Sequence, residues 1–432
     1  MSDLTHRRIL RMAAPIVLAN ATVPLLGLAD TGVIGQLGAA EAIGAVAVGS
    51  VVLTTIYWVF GFLRMGTTGL TSQAIGAGDR REVRALLLRG LMLGGVIGVL
   101  VIALQWPLIE AAMTIMSASP EVDALARGYL SIRVWSAPAA IAAYAVNGWL
   151  IAAERSRAVM VLQLVTNGVN IALNVGFVLG LGWGVQGVAA ATVMAEVMGL
   201  GFGLWLCRDG LRGMIDWSSV FDPARLRQMV QVNTDIMIRT AALLTVLLLF
   251  TAWGARFGDV PLAANQVLMQ FVTLTAFVLD GFAFAVETLV GQALGARNAD
   301  ALRRAARMCS VWGLGAVLAM VGCFAVFGGA IIDLLTTDPQ VRAAARDYLP
   351  WMVIGPVLAV PGWMLDGIFI GATRTRDMRN MMLISLAIYV AAAIVLMAYF
   401  GNHGLWAAMI VSWVSRGATL GLRYQAIYRS LA

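Results

Sequence analysis

Twelve long apolar stretches, divided by short polar connections, leave this chain few folds to choose from. They run near residues 9–35, 43–73, 85–110, 122–153, 158–181, 186–207, 225–255, 262–293, 301–335, 342–373, 378–400 and 404–425. About 20 apolar residues carry a helix across the hydrocarbon of a bilayer. Inside that layer every backbone N–H and C=O must find its partner within the protein, which a helix provides for itself. Several stretches exceed the minimum length, so tilt or bending is expected. Only 12% of the residues are charged and 60% are hydrophobic, against about 25% charged in a soluble domain. The expected fold class is therefore all-α integral membrane, with twelve transmembrane helices.

The arginines order these spans. All 30 basic residues are Arg. One set of connections, including both ends of the chain, holds 22 of them, from Arg7 and Arg8 to Arg423 and Arg429; the alternate set holds five, Arg127, Arg133, Arg256, Arg342 and Arg346. Positively charged connections stay on the cytoplasmic side, so both termini are expected there, as an even span count requires. The net charge of +7 then belongs to loops facing anionic headgroups rather than to a nucleic-acid surface. The first apolar stretch is too long for a cleavable leader and lacks a small-residue cleavage site.

The chain also repeats itself. Gln73-Ala74-Ile75-Gly76-Ala77 returns 219 residues later as Gln292-Ala293-Leu294-Gly295-Ala296, and Pro120, Arg127, Gly148, Arg155 and Arg157 return as Pro339, Arg346, Gly367, Arg374 and Arg376. Shared apolar composition does not align Gln, Pro and Arg in one register. Two pseudo-symmetric six-helix bundles follow: a lobe of residues 1–207, a cytoplasmic linker of 208–224 and a lobe of 225–432. Parallel repeats of this kind place a binding cavity at the repeat interface in several transporter folds. Glycine runs such as Gly94-Gly95-Val96-Ile97-Gly98 suit close helix packing.

Polar residues inside the spans are the candidates for function. Asp30 is a carboxylate within the first span, six residues after Pro24. An ionised group in hydrocarbon pairs, lines a cavity or takes up a proton. Pro24 has no N–H to give the carbonyl of Asn20, so the helix can bend there. Asn170 and Asn174 lie one turn apart on the fifth span, and Thr192 and Glu196 one turn apart on the sixth. With Asp30 they could converge as a hydrogen-bonded proton or cation site. The second half carries Asp235, Arg239, Asp280, Glu287 and Asp366. Asp235 and Arg239, one turn apart, are expected to pair, and the surplus acids could attract cationic ligands or close an ion-paired inner face. Arg64 and Arg416 also lie in spans, with partners the sequence does not name.

Catalytic and metal chemistry finds no foothold. Cys207, Cys309 and Cys323 have no metal or redox spacing, and no nucleophile constellation, metal-ligand cluster or phosphate loop appears. An enzyme is not expected, nor a metal or cofactor beyond H+ or Na+ as a coupling ion.

Four motifs carry a family resemblance: Pro24-Leu25-Leu26-Gly27-Leu28-Ala29-Asp30-Thr31-Gly32-Val33-Ile34-Gly35, Arg64-Met65-Gly66-Thr67-Thr68-Gly69-Leu70-Thr71, Leu279-Asp280-Gly281-Phe282-Ala283-Phe284-Ala285-Val286-Glu287, and Leu365-Asp366-Gly367-Ile368-Phe369-Ile370-Gly371-Ala372-Thr373-Arg374. Together they resemble the DinF-like branch of the multidrug and toxic compound extrusion (MATE) family over nearly the whole chain. The resemblance implies a V-shaped central cavity between two lobes and export of organic compounds driven by inward H+ or Na+. It implies Asp30 as the coupling carboxylate, with Asn170, Asn174 and Thr192 as its polar cluster. Relatives often carry Asp where this chain has Asn174. Loss of that hard oxygen ligand weakens the case for Na+ and favours H+. The expected protein is a monomeric exporter of amphipathic or cationic organic substrates in a bacterial inner membrane, surrounded by lipid and without a nucleic-acid partner. The alternatives are a Na+-coupled antiporter and a lipid or lipid-linked-sugar flippase of a related fold. The flippase predicts several arginines in the cavity, where the spans hold only Arg64, Arg239 and Arg416.

Overall fold

The computed structural model describes residues 4–36, 39–116, 119–212 and 215–429, and among them there are helices and no strands. Among the described residues ten helices are long and apolar enough to cross a membrane. Two features bring this to the twelve spans expected. The last helical stretch, Thr375–Arg429, is 55 residues long and reverses at Gly401, whose φ of 55° breaks the helix in two. The first apolar stretch is divided at Thr22 into His6–Ala21 and Val23–Gly35, neither of them long enough alone.

The described chain forms two compact units. One comprises residues 18–71 and 79–229; the other comprises 1–17, 72–78 and 230–432. In the first, the Arg80–Ala103 helix lies against Ala137–Ala152. Gly90, Gly94 and Gly98 form the seam: a Cβ on Gly94 would stand 2.7 Å from the backbone of Ala142, and one on Gly90 2.7 Å from Ala145 Cβ. Gly95, between them, meets nothing within 4 Å, so only part of the glycine run serves packing. Leu87, Val146, Leu150 and Leu162 fill the space beside this seam. Buried Arg89 ties down the linker. It bonds both carboxylate oxygens of Glu82 at 2.7 and 3.1 Å and the carbonyls of Ser219 and Val220 at 2.5 and 2.9 Å.

The second unit has a core around Phe250, Phe271, Met352, Tyr389 and Trp406. Asn265 and Asn402 exchange two amide hydrogen bonds, at 2.8 and 2.9 Å, and Trp406 Nε1 donates to Asn265 at 2.8 Å. This buried knot sits beside the Gly401 reversal. Every buried polar group in it has a partner, which is what burial demands.

The repeat is written in the backbone. Positive φ occurs at Gly78 and Arg297, at Glu154 and Thr373, and at Gly182 and Gly401, each pair 219 residues apart. Glu154, Arg297 and Thr373 close their helices identically. For Glu154, its own N–H bonds Ile151 and the next N–H bonds Leu150; the same two bonds recur at Arg297 and at Thr373. This is the Schellman closure, whose left-handed residue is usually glycine. Within the second unit the two copies of Gln-Ala-x-Gly-Ala also meet. A Cβ on Gly76 would overlap the carbonyl of Gln292, and a Cβ on Gly295 would overlap that of Gln73.

Candidate functional site

The first span ends its first segment with a capped turn. Thr22 N–H and its hydroxyl both donate to Ala19 O, at 3.0 and 2.7 Å. Pro24 falls in the first turn of the next segment, where its missing N–H leaves no helical bond unmade. The sequence expects a bend at Pro24; the interruption is at Thr22, two residues before it. Asn167 Nδ2 donates to Thr22 Oγ1 at 3.2 Å, and Gln163 Nε2 donates to Asn167 Oδ1 at 3.1 Å.

Asp30 is half-buried in the second segment. Asn174 Nδ2 donates to its Oδ1 at 2.5 Å and to Asn170 Oδ1 at 2.9 Å. Asn170 and Asn174 are 1% and 0% exposed, while Asn170 Nδ2 and Asn174 Oδ1 have no partner among the described residues. Asn174 ends the Ser156–Asn174 α-helix, and Val175–Gly180 continues as a π-helix. Gln163, Asn167, Asn170 and Asn174 thus form one polar stripe with three- and four-residue spacing. It touches the first span at its break and at its carboxylate.

Three of the five residues expected to converge in this half join in one hydrogen-bonded chain. The other two bond elsewhere. Buried Thr192 donates to Val188 O at 2.9 Å within its own helix. Glu196 accepts from Arg133 Nη1 at 2.9 Å, and the same nitrogen donates to Ser136 Oγ at 2.8 Å. Counting Arg133 with the arginine-poor connections hid this pair; its guanidinium also acts electrostatically on Asp30. Asn167 and Gln163 were missed as well, though their spacing on the Asn170–Asn174 face is readable in the sequence.

In the second unit the expected Asp235–Arg239 pair does not form. Asp235 accepts from Arg379 at 2.6 Å and from Thr375 Oγ1 at 3.1 Å. Arg239 instead pairs with Asp366, and Arg416 Nη1 stands 3.7 Å from the same carboxylate. Arg416 also lies 4.8 Å over the Trp363 ring. Residues one turn apart share a helix face, but partners on facing helices can approach end-on and have won both acids. Arg379 and Arg416 therefore reduce the surplus of negative charge expected here. Half-buried Asp280 and buried Glu287 lie on the Asp259–Gly295 helix, and each interacts with its surroundings. Among the described residues no three His, Cys, Asp or Glu side chains gather as a metal would require.

Known proteins resemble this chain along its length. The family model described as MatE matches residues 15–175 and again 236–396, once in each half. DNA damage-inducible protein F of Escherichia coli (strain K12) is 40% identical over 428 residues, covering 97% of this chain and 92% of that protein. A probable multidrug resistance protein NorM of Thermotoga maritima is 26% identical over 440 residues, covering 97% and 92%. A solved MOP superfamily transporter from Pyrococcus furiosus superposes with a TM-score of 0.87 at 21% identity, over 98% of this chain and 96% of that one; it speaks for the fold.

Proposed function

The chain belongs to the MatE family of multi-pass membrane transporters, and from that premise we propose that it exports amphipathic organic compounds in exchange for protons, with Asp30 as the coupling carboxylate. The observation that carries this reading is the contact between Asp30 and Asn174. Asn174 is neutral and can donate to a carboxylate or, with its amide turned, accept from a carboxylic acid. The buried Asn174 Oδ1 that lacks a partner is the acceptor the acid form needs. Arg133 is hydrogen-bonded to Glu196, so the hydrogen-bond partner of Asp30 is the neutral amide of Asn174. A site of this kind tolerates both protonation states, and a coupling group must visit both.

The same helix face supplies a route from proton to movement. Asn174 contacts Asp30 and Asn167 contacts Thr22, at the interruption of the first span. Gaining a proton at Asp30 changes what Asn174 exchanges with it, and the interrupted span can re-aim its second segment at little cost. In this reading, uptake of an external proton favours substrate release outside. Na+ is the weaker candidate as coupling ion, because Asn174 offers a neutral amide where a second carboxylate would supply a hard, charged oxygen. The arginine bias supports both termini in the cytoplasm, and the apolar helical spans support a bacterial inner-membrane location. A monomer suffices, since each half carries its own copy of the repeat.

The test is transport by purified protein in liposomes under imposed H+ or Na+ gradients. Export should follow the pH gradient, be indifferent to Na+, and be lost in Asp30→Asn. Export by Asp30→Asn at the wild-type rate, or export driven by Na+ alone, would overturn the reading.

A further inference from the structure

The second unit contains a cavity of about 910 Å³ that no step of proton exchange uses. Its walls are the start of the Ala299–Leu335 helix, the end of Pro339–Gly371, and the short Gln425–Arg429 helix. Along the first wall, Arg303, Arg307, Ser310 and Leu314 line the cavity at spacings of four, three and four residues, which is one helical stripe. Val357, Pro361, Met364 and Ile368 form the matching stripe on the antiparallel wall. From Arg303 to Leu314 the stripe is roughly 16 Å long at the rise of an α-helix.

The two ends of this cavity differ in chemistry. Arg303, Arg307 and Arg429 gather at the end that lies on the arginine-rich side of the spans. All three are exposed, and among the described residues none pairs with an acid. Tyr424 and Tyr428 stand beside them, their hydroxyls 3.0 Å apart, and the Arg303 guanidinium lies 5.7 Å from the Tyr428 ring. Among the described residues no acidic side chain lines the cavity. The other end is apolar and open to the bilayer: Val311 is 60% and Leu314 38% exposed.

We propose that this cavity is a binding site for one anionic phospholipid of the leaflet facing the arginine-rich connections. Guanidinium forks match phosphate oxygens, tyrosines favour the headgroup level, and a basic pocket between spanning helices suits an anionic headgroup. The apolar stripe accepts the upper part of an acyl chain. A zwitterionic lipid brings an ammonium that three uncompensated arginines disfavour. The bound lipid would brace the C-terminal segment against the spans. This goes beyond the proton-exchange reading and does not depend on Asp30.

The test is native mass spectrometry of the full-length protein in detergent, offered phosphatidylglycerol and phosphatidylethanolamine in equal amounts. Wild type should retain phosphatidylglycerol preferentially. Each arginine near an anionic headgroup is worth roughly fivefold, so R303Q/R307Q should lose more than about tenfold in retention, while R303K/R307K should keep most of it. Leu314→Trp leaves the charges in place and fills the apolar end; it should also shed the lipid, and it carries the test if the glutamine variant does not elute as a single species. Equal retention of the two lipids by wild type, unchanged retention in R303Q/R307Q, or displacement of the lipid by inorganic phosphate or by an exported compound would overturn the proposal.

Discussion

Asn174 holds the Asp30 carboxylate at 2.5 Å from the last residue of a regular α-helix, immediately ahead of the Val175–Gly180 π-segment. Wider turns of this kind are rare and recur at functional sites. Asn174→Ala removes a hydrogen bond to a charged group, which is worth about 2 kcal/mol. Thermal unfolding in detergent should register that loss in the single variant and little further loss when Asp30→Asn is added. Asn174→Asp supplies a second hard oxygen donor beside Asp30, and transport in liposomes should then acquire a dependence on Na+ that wild type lacks.

Two buried guanidiniums, those of Arg239 and Arg416, share the one carboxylate of Asp366. Asp366→Asn strands both, and breaking a buried pair from one side costs about 3–5 kcal/mol. Arg239→Met leaves Asp366 with Arg416, so its loss should be smaller. The order of the two melting temperatures checks this: an Arg239→Met protein less stable than Asp366→Asn would contradict the shared-acid arrangement.

Gly76 and Gly295 each rest on the backbone of the other repeat, where a side chain must push main chain rather than a movable neighbour. Gly76→Ala and Gly295→Ala should each cost about 1–3 kcal/mol through overpacking. Gly95 meets nothing within 4 Å, and Gly95→Ala should be neutral or stabilising by up to about 1 kcal/mol, as in an exposed helix interior. Equal melting temperatures across the three variants would count against the seam.

Asp216 caps the linker helix Trp217–Val220, accepting from the hydroxyls of Ser218 and Ser219 at 2.5 and 2.8 Å and from both of their N–H groups. Those hydroxyl bonds, then the N–H bonds, hold its carboxyl down from 3.8 to about 2. A lowered carboxyl pKa contributes stability above the unfolded value and loses it as pH falls through the folded one. The cap should therefore persist at pH 4 and fade between about 4 and 2. Hydrogen exchange at Ser218 and Ser219 across that interval, corrected for intrinsic rates, should show protection in wild type and none in Asp216→Ala.

Span count, arginine bias and repeat register were all readable from the chain because each is a local or periodic property. Hydropathy over 20 residues survives any packing, and the register that aligns Gln73 with Gln292 also aligns the left-handed turns at Glu154 and Thr373. Partner choice was not readable in the same way. Asp235 and Arg239 satisfy the one-turn rule, yet Arg379 and Asp366 approach from other helices and replace it. Arg133 looked like a loop charge, although it is half-buried and paired with Glu196. The Asp30–Asn174 contact was foreseeable as a pairing of types; its position at a change of helix pitch was not, because no residue in Val175–Gly180 announces it.

Gln73 and Gln292 hold equivalent places in the repeat. Gln73 gives its amide to Gly371 O and Thr373 Oγ1, and Gln292 accepts from Arg8. In a dimer of identical half-length chains, any change at this spot would be imposed on both copies at once. A single fused polypeptide lifts that obligation, so one arm can specialise while its twin keeps the older fit.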